Sequence, residues 1–195
     1  MIIGIVGKAG SGKSKITNYL MQKNYISIPL DNVAKDLYLN HHSEPYNKII
    51  KTFGFKILNT MGEIDKKLLG NIVFNSNRAM RKLNKIMINP IENHVINYIN
   101  KNYDIKDKLI LDGALILNTK IKYYCDIIIY VDAPKKDRIK RLIERGVDPK
   151  IAPKMANAVN ITRNQLLDHN KPVIIINNNT SIYDLEYNLN NIFKM

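Results

Sequence analysis

A glycine-rich stretch near the start of the chain has the residue types and spacing of a phosphate-binding loop. It runs Gly7-Lys8-Ala9-Gly10-Ser11-Gly12-Lys13-Ser14, after an apolar run from Met1 and before a helix-like segment from Lys15 to Lys23. Glycines let backbone amides turn inward as an anion-binding nest, and the following helix adds the positive end of its dipole. In this pattern the lysine reaches the β- and γ-phosphates and the serine hydroxyl binds Mg²⁺. The sequence therefore predicts a P-loop whose ATP contacts are Gly7, Lys8, Ala9, Gly10, Ser11, Gly12, Lys13, Ser14 and Lys15.

Two carboxylates follow predicted strands and are candidates for chemistry beside this loop. Asp31 follows the strand predicted over residues 25–30. There it could accept a proton from an attacking hydroxyl, help to hold Mg²⁺, or cap the next helix together with Asn32. Asp112 ends the apolar run Lys108–Asp112, the usual place of the carboxylate that orders Mg²⁺ and its waters, although a strand can also end in a carboxylate without that role. Ser14 and Asp112 are the predicted metal ligands.

Three arginines recur on one predicted helix, which Pro134 opens and which runs to about Glu144. Arg138, Arg141 and Arg145 have i, i+3 and i+7 spacing, just ahead of a break at Gly146. Planar guanidinium groups suit the spread charge of a transferring phosphoryl group, whereas such a stripe alone is more often a solvated face. Beside a P-loop and before a hinge, the spacing favours a phosphate-clamping lid.

The elements that would position these residues alternate between strand and helix signals. Continuous apolar runs, such as Val173–Asn177, are typical of strands buried on both faces of a parallel sheet. The middle of the chain is mostly helical, with Asp65 as a cap and Pro90 expected to kink or divide a long helix. These patterns predict an α/β fold with ligands at the carboxyl ends of the strands. The remaining predicted strands cover 1–6, 108–112 and 126–132, and further helices cover 33–39, 43–58 (broken at Gly54), 150–169 (interrupted near Pro153) and Ile182 to Phe193.

Composition narrows the class of protein. The 195 residues, with 45% hydrophobic content, suit one compact domain. No apolar run approaches a membrane span, and the first residues lack the pattern of a signal peptide. A single cysteine and four histidines without metal-ligand spacing predict no internal disulfide, no zinc site and a reducing cytoplasm. The net charge of +13 suits an anionic small substrate, and because the cations are spread along a chain rich in Lys, Asn and Ile, nucleic acid is not the expected partner.

The rest of the motif search separates classes of P-loop protein. Asn170-Lys171 is followed by Pro172-Val173, so the base-reading Asn-Lys-x-Asp motif of GTPases is missing. The chain also lacks the length and signature segments of a helicase or motor. A short kinase acting on a small hydroxyl or phosphate substrate is the favoured interpretation.

An ordered set of further motifs resembles bacterial dephospho-CoA kinases over nearly the whole chain. After the P-loop come Ile28 to Asp31, Phe53-Gly54, Gly62-Glu63-Ile64-Asp65-Lys66, Ile72-Val73-Phe74, Leu83-Asn84, Asn89-Pro90-Ile91, Leu111 to Leu117, Asp126 to Pro134, Arg141 to Arg145, and a terminal strand ending in Asn177-Asn178. The P-loop alone specifies a superfamily, whereas the ordered set specifies the family.

That resemblance implies transfer of the ATP γ-phosphoryl group to the ribose 3′-hydroxyl of dephospho-CoA, the last step of coenzyme A synthesis. It implies one P-loop kinase domain, a three-layer sandwich with core residues 1–30, 105–137 and 170–195, a helical acceptor-binding insertion at 31–104 and a helical lid at 138–168. Lys13, Asp31, Arg141 and Arg145 match catalytic positions, and Asp31, Lys66 and Leu115 match the acceptor side. Mg²⁺ is the implied cofactor, ATP the co-substrate and the cytoplasm the location; no membrane partner is implied, and oligomeric state is left open.

Several positions depart from the family pattern. The family's first aspartate after the second strand is Pro29 here, and the arginine of the Asp-Gly-x-Ile-Asp-Arg segment is Lys66, which keeps the charge but loses the bidentate fork. The other changes are Lys15 for Thr, Met61 for Asp, Asn89 for His and Asn118 for Glu, while Lys154 is the nearest match to an arginine after the lid. Because most of these changes lie on the acceptor side, two alternatives stay open: a related kinase of another nucleoside, nucleotide or small alcohol, and a non-catalytic nucleotide-binding protein.

Overall fold

The computed structural model describes residues 1–104, 107–168, 170–179 and 189–190. They belong to two compact units, one formed by Met1–Ile28 and Asp104–Met195 and the other by Pro29–Tyr103. The strands are β1 (Ile2–Gly7), β2 (Ile26–Pro29), β3 (Leu109–Asp112), β4 (Ile127–Asp132) and β5 (Val173–Asn177); the helices are α1 (Lys13–Met21), α2 (Leu30–Leu39), α3 (Glu44–Phe53), α4 (Lys66–Phe74), α5 (Asn77–Asn102), α6 (Lys135–Glu144), α7 (Ala152–Asn157) and α8 (Arg163–Leu167).

A five-stranded parallel sheet with the strand order β2-β3-β1-β4-β5 organises the first unit. The central strand β1 pairs with β3 on one side and β4 on the other, so that Ile5 is in register with both Asp112 and Ile129. All six residues of β1 are buried. Because successive side chains of a strand point to opposite faces, both faces of the sheet are covered at β1. The five predicted strands are therefore confirmed, within a residue or two at their ends.

The core of this unit explains why α1 lies where it does. Ile16 and Leu20, one helical turn apart on α1, are fully buried and join a cluster with the sheet residues Ile3, Ile5 and Ile129. Burying a side chain of this size stabilises the folded state by about 1.5–3 kcal/mol. The apolar face of α1 therefore fixes the start of the helix, and with it the preceding loop, against the carboxyl end of β1.

The second unit is helical, and its centre is the long helix α5, which packs against α2, α3 and α4. Met87, Ile91, Val95 and Ile99 recur every four residues along α5 and are all buried. Asp65 caps α4 as predicted, because its side chain accepts hydrogen bonds from the amides of Lys67 and Leu68. This unit therefore folds around one helix face.

Three local predictions differ from the structure. Pro90 lies inside α5 and does not divide it, since losing one intrahelical hydrogen bond leaves the packed stripe of α5 intact, while the alternative of a kink at Pro90 stays a prediction. The helix after β2 begins at Leu30, whose side chain is buried, so Asp31 lies in the first turn and is not its cap. Pro153 lies in the first turn of α7 and begins that helix, where a missing amide hydrogen is tolerated.

Two remaining predictions concern the last helix and the lack of a membrane span. The predicted helix from Ile182 to Phe193 lies, apart from residues 189–190, outside the described residues. Among the residues that are described, no helix combines the length and the apolar character needed to cross a bilayer.

Candidate active site

The predicted phosphate-binding loop connects the buried strand β1 to α1. Gly10 and Gly12 have positive φ angles of 79° and 99°, in the left-handed region that side-chain-bearing residues rarely adopt. The amide of Ser11 donates to the carbonyl of Lys8 at 3.0 Å and closes a turn within the loop. This backbone wraps around the amino end of α1, whose first amides have no intrahelical acceptor and are free in principle to bind an anion.

Close packing also leaves no room for a side chain at Gly10 or Gly12. A Cβ atom at Gly10 would overlap the backbone carbonyl of Arg138 in α6, and a Cβ atom at Gly12 would overlap the side-chain amide nitrogen of Asn178. Ala9, the residue before Gly10, packs against the cluster of Leu142, Ala152 and Ala156. Neighbouring elements thus hold the loop on several sides, and its shape does not depend on its own turn alone.

The first turn of α1 carries the two side chains that the P-loop pattern assigns to the nucleotide. Lys13 is half-buried, and its Nζ lies 3.4 Å from the carbonyl oxygen of Gly7, across the mouth of the loop. Ser14 and Lys15 are exposed. A lysine folded back over the loop in this way places its ammonium group where loop amides and helix dipole also favour negative charge.

Asp112, at the end of β3, is placed beside the same helix. Its Oδ2 lies 3.0 Å from the hydroxyl of Thr17, which is 3.2 Å from the carbonyl of Lys13. Thr17 is buried and lies three residues after Ser14, so the two hydroxyls share one helix face. The structure therefore brings Asp112 to the α1 face that carries Ser14, through a threonine that the sequence interpretation did not identify.

Arg141 contacts the backbone of the loop. Its Nη1 donates to the carbonyl oxygens of Gly10 and Ser11, each at 3.3 Å, and its Nη2 donates to the carbonyl oxygen of Asn178 at 2.9 Å. Asn178 in turn donates from its side chain to Ser11 O at 2.7 Å. The guanidinium group of Arg141 and the carboxamide of Asn178 thus donate hydrogen bonds to the carbonyl groups on the outer side of the loop.

The predicted stripe of three arginines does not form one surface. Arg138 is buried and donates to the carbonyl oxygens of Ala133 and Ala156, which ties the start of α6 to α7. Arg141 faces the loop, and Arg145, the residue after α6, is exposed. Of the three, Arg138 is structural, because a buried guanidinium must satisfy its donors internally. Arg145 is the member left accessible to a ligand.

The segment after β3, which contains the predicted acceptor residue Leu115, is tied to the region predicted as a lid. Asn118 accepts a hydrogen bond from the side-chain amide of Gln165 in α8 at 2.7 Å, and Lys122 pairs with Asp168 at 2.9 Å. The hydrogen bond with Asp168 raises the pKa of Lys122 above its ordinary value. Leu115 itself is half-buried. Asn118, where the family has a carboxylate, is thus one anchor of α8.

The remaining acceptor-side predictions lie in the helical unit. Asp31 is exposed in the first turn of α2, where a carboxylate is favoured by the helix dipole. Burial raises the pKa of Tyr38 on the same helix, and the negative charge of Asp31 raises it further. Lys66 is exposed at the start of α4. These side chains are available to bind a ligand, with little packing to fix them.

A cleft of about 510 Å³ also lies within this unit, between α3 and α5. Its lining is mixed, with the side chains of Lys48, Lys85 and His94 beside apolar Ile86 and Pro90. Lys48 is also engaged by Glu44 at 2.5 Å. The helical unit therefore offers polar and cationic surface, in contrast to the backbone nest of the loop.

A glycine loop between the central strand of a parallel sheet and its first helix, with a strand-end carboxylate beside that helix, defines a P-loop nucleotide-binding protein. Comparisons with known proteins narrow this class. The family described as dephospho-CoA kinase matches residues 1–184. The dephospho-CoA kinase of Fusobacterium nucleatum is 35% identical over 190 residues, covering 95% of this chain and 93% of the relative. That of Borreliella burgdorferi is 31% identical over 189 residues, covering 94% and 88%.

The solved structure of the Campylobacter jejuni dephospho-CoA kinase agrees in fold, with a TM-score of 0.60 at 21% identity over 99% of this chain and 95% of that one. The chain belongs to the dephospho-CoA kinase family. It is an ATP-dependent kinase, and the family, the α/β P-loop fold and the enzyme class predicted from the sequence are confirmed. The roles predicted for individual residues, and the boundaries of insertion and lid, stay predictions.

Two residues of the site escaped the sequence interpretation. Thr17 lies in an ordinary amphipathic helix, and only its polarity at a buried position could have marked it. Asn178 lies in the run Asn177-Asn178-Asn179, whose first two residues the sequence analysis treated only as the end of the last strand. The signal that separates Asn178 from its neighbours is burial, because Asn177 and Asn179 are exposed and Asn178 is not.

Proposed function

We propose that this chain transfers the γ-phosphoryl group of ATP to the ribose 3′-hydroxyl of dephospho-CoA and so produces coenzyme A and ADP. The observation that carries the proposal is the assembled loop, with Lys13 over its mouth and Asp112 tied to the same helix, in a chain that belongs to the dephospho-CoA kinase family. The loop supports ATP as the donor of the phosphoryl group, and the family supports dephospho-CoA as its acceptor.

The loop side of the site supports the donor half of the reaction. Backbone amides of the loop and of the first turn of α1 hold the β- and γ-phosphates, and Lys13 neutralises charge that builds up on them. The bond that breaks joins the γ-phosphorus to the oxygen bridging it to the β-phosphate, and ADP leaves with that electron pair. Arg145, which is exposed after α6, neutralises charge on the transferring group, while Arg141 holds the loop.

The acceptor half is assigned to Asp31. Its carboxylate accepts the proton of the 3′-hydroxyl while the oxygen of that hydroxyl forms its bond to the γ-phosphorus, and the proton then passes to solvent. Asp31 is exposed and lies at the dipole-favoured start of α2. Lys66 and Leu115 contact the acceptor outside the reacting centre, as the family resemblance implies.

The oxygen donors of the loop side suit Mg²⁺. Ser14 is exposed on the α1 face that also carries Thr17, the partner of Asp112, and Mg²⁺ favours one or two such oxygen ligands together with water and phosphate oxygens. Within the described residues no cluster of three His, Cys, Asp or Glu side chains offers an all-protein metal site. When bound, Mg²⁺ would supply charge neutralisation of the triphosphate.

We also place the reaction in the cytoplasm, where ATP is supplied. The single cysteine, Cys125, which is buried as a free thiol, is compatible with a reducing compartment.

The test is a coupled assay of ADP release with Mg²⁺-ATP, with and without dephospho-CoA. We expect stimulation by dephospho-CoA and a product that co-elutes with coenzyme A. Adenosine, a deoxynucleoside and pantetheine serve as alternative acceptors, and the Asp31→Asn variant reports acceptor-dependent turnover. Folded protein that binds ATP but shows no stimulation by dephospho-CoA would contradict the proposal.

A further inference from the structure

Asn178 is a deeply buried polar residue beside the loop, and three of its hydrogen bonds to other described residues position the loop or the groups that support it. Its side chain donates to Ser11 O at 2.7 Å, its backbone amide donates to Asp132 O at 2.7 Å, and its carbonyl accepts from Arg141 at 2.9 Å. Only 2% of its surface is exposed. A buried carboxamide held at both its backbone and its side chain is rigid, so it fixes the position of whatever it contacts.

The contact with Ser11 determines more than one carbonyl. In a trans peptide the C=O and the N–H point in opposite directions, so the carbonyl of Ser11 and the amide of Gly12 form one rigid plane. A donor that holds the Ser11 carbonyl outward therefore turns the Gly12 amide inward. Gly12, with φ of 99°, has the conformational freedom that could otherwise let this plane rotate.

The end of the carboxamide that faces the loop must be its nitrogen, since a carbonyl oxygen can accept but not donate. Arg141 adds two longer donations, at 3.3 Å, to the carbonyls of Gly10 and Ser11. The side chain of Asn178 also lies where a Cβ atom of Gly12 would be, so loop and clamp are packed directly together. Because Asn178 is buried and its side-chain nitrogen lies against the loop, we expect it to act on a nucleotide through the loop and not by direct contact.

We propose that Asn178 is a positioning residue for phosphoryl transfer, which orients the Ser11–Gly12 peptide so that the Gly12 amide points at the bound phosphates. This rests on the proposed function for the identity of the acceptor, but not for the binding of ATP. It separates Asn178 from its exposed neighbours in the Asn177-Asn178-Asn179 run, which make no such contact with the loop.

The test measures binding of ATP, ADP and GTP to the purified chain directly, without acceptor, for Asn178→Ala, Asn178→Asp and the matched control Asn179→Ala. Loss of a buried hydrogen-bond donor predicts ATP and ADP binding about 10- to 100-fold weaker in Asn178→Ala. Asn178→Asp keeps the shape but sets a carboxylate against the Ser11 carbonyl and near the phosphates, so we expect a larger loss. Asn179→Ala is expected to bind as the parent does.

Three readouts separate positioning from other roles. A packing role alone predicts that the isosteric Asp variant is milder than Ala, and that order would overturn the proposal. A base-reading role predicts a changed ratio of ATP to GTP affinity, which positioning leaves unchanged. Turnover adds a third: we expect KM for ATP to rise while KM for dephospho-CoA stays within twofold.

Thermal unfolding of each variant checks that the chain is folded. If both Asn178 variants are folded and bind ATP within twofold of the parent, the proposal is wrong. Because binding is measured without acceptor, a chain that is inactive with dephospho-CoA would contradict the proposed function and leave this test standing.

Discussion

The loop side and the acceptor side of this kinase differ in how packing constrains their residues. On the loop side, Gly10 and Gly12 act through backbone shape, and α6, Arg141 and Asn178 enclose them. On the acceptor side, the predicted residues Asp31 and Lys66 are exposed, and under the proposed function they act through the functional groups of their own side chains. The packed loop permits almost no substitution, whereas an exposed side chain on the acceptor side can be replaced by a related group with a small loss of binding affinity.

This difference accounts for most of the departures from the family pattern, although Pro29, which is one of them, is half-buried. Within Gly7 to Ser14 the glycines, the lysine and the serine of the motif are all present. Lys66, Met61 and Asn118, by contrast, replace family residues at positions that are exposed. A loop whose shape is set by packing must keep its residues, while an exposed contact can keep its charge and change its side chain.

The largest effect is expected from Gly12→Ala. The added Cβ would overlap the side-chain amide of Asn178, so the loop must move. Under the proposed function, at least two backbone amides of the loop then no longer point at the phosphates. Each such donor contributes about 10²- to 10³-fold to turnover, which predicts a loss of about 10⁴-fold or more in kcat/KM for ATP. Steady-state assays of ADP release would measure it.

Gly54→Ala is the matched control for Gly12→Ala. Gly54 also has a positive φ, of 79°, but a Cβ atom there would meet no other atom within 4 Å. We expect it to lose about 1–3 kcal/mol of stability, because its φ of 79° with ψ of 171° is a conformation that is almost restricted to glycine, and to keep its turnover. Equal losses of turnover in the two variants would mean that backbone strain, and not the crowded loop, is responsible.

Asp31→Asn is expected to lower kcat on the order of 10²-fold, the range of general base catalysis, while ATP affinity stays unchanged. The amide keeps the size of the side chain but cannot accept a proton. Separate KM and kcat values for ATP and dephospho-CoA would decide it. Asp36→Asn, an exposed change on the same helix, is the control; a loss there as large as at Asp31 would point to helix stability.

Lys66→Ala is expected to have a small effect. An exposed ion pair contributes about 0.2–1 kcal/mol, so KM for dephospho-CoA should rise about two- to fivefold without a change in kcat. Lys67→Ala, exposed on the next residue of α4, is the control. Lys66→Arg, which restores the bidentate fork, should lower that KM. If Lys66→Ala and Lys67→Ala have identical effects, Lys66 has no specific contact with the acceptor.

The smallest effect concerns Cys125, which is buried behind β1. Burial raises the pKa of its thiol from 9.0 to about 12, so the reactive thiolate is scarce at pH 8. Because the folded state favours the protonated thiol, its contribution to the free energy of unfolding is fully present below about pH 9 and is lost as pH rises towards about 12. Thiol labelling at pH 8 should be slow and should become fast in urea; rapid labelling of the folded chain would contradict its burial.

Much of the molecule could be predicted from local sequence. The apolar runs of β1, β4 and β5 predicted the strands of the sheet, and β1 and β4 are buried or half-buried along their length. The predicted burial on both faces was wrong for β5, because β5 is an edge strand of the sheet and its Ile175 is 60% exposed. Asp65 could be recognised as a cap because a cap needs only the next few residues. The α2 start was missed because Leu30, which looks like a strand residue, is instead buried as the first residue of a helix.

The sequence by itself determined the phosphate-binding loop, since the spacing of Gly7 to Ser14 places every necessary group within a single turn between a strand and a helix. Only the tertiary structure decided what holds that loop. Asn178 and Ser11 are 167 residues apart along the chain, and Thr17 and Asp112 are 95 apart. Contacts of this kind depend on which strands are neighbours in the sheet and on which of three consecutive asparagines is buried. No local pattern carries that information, because it arises only when the chain packs against itself.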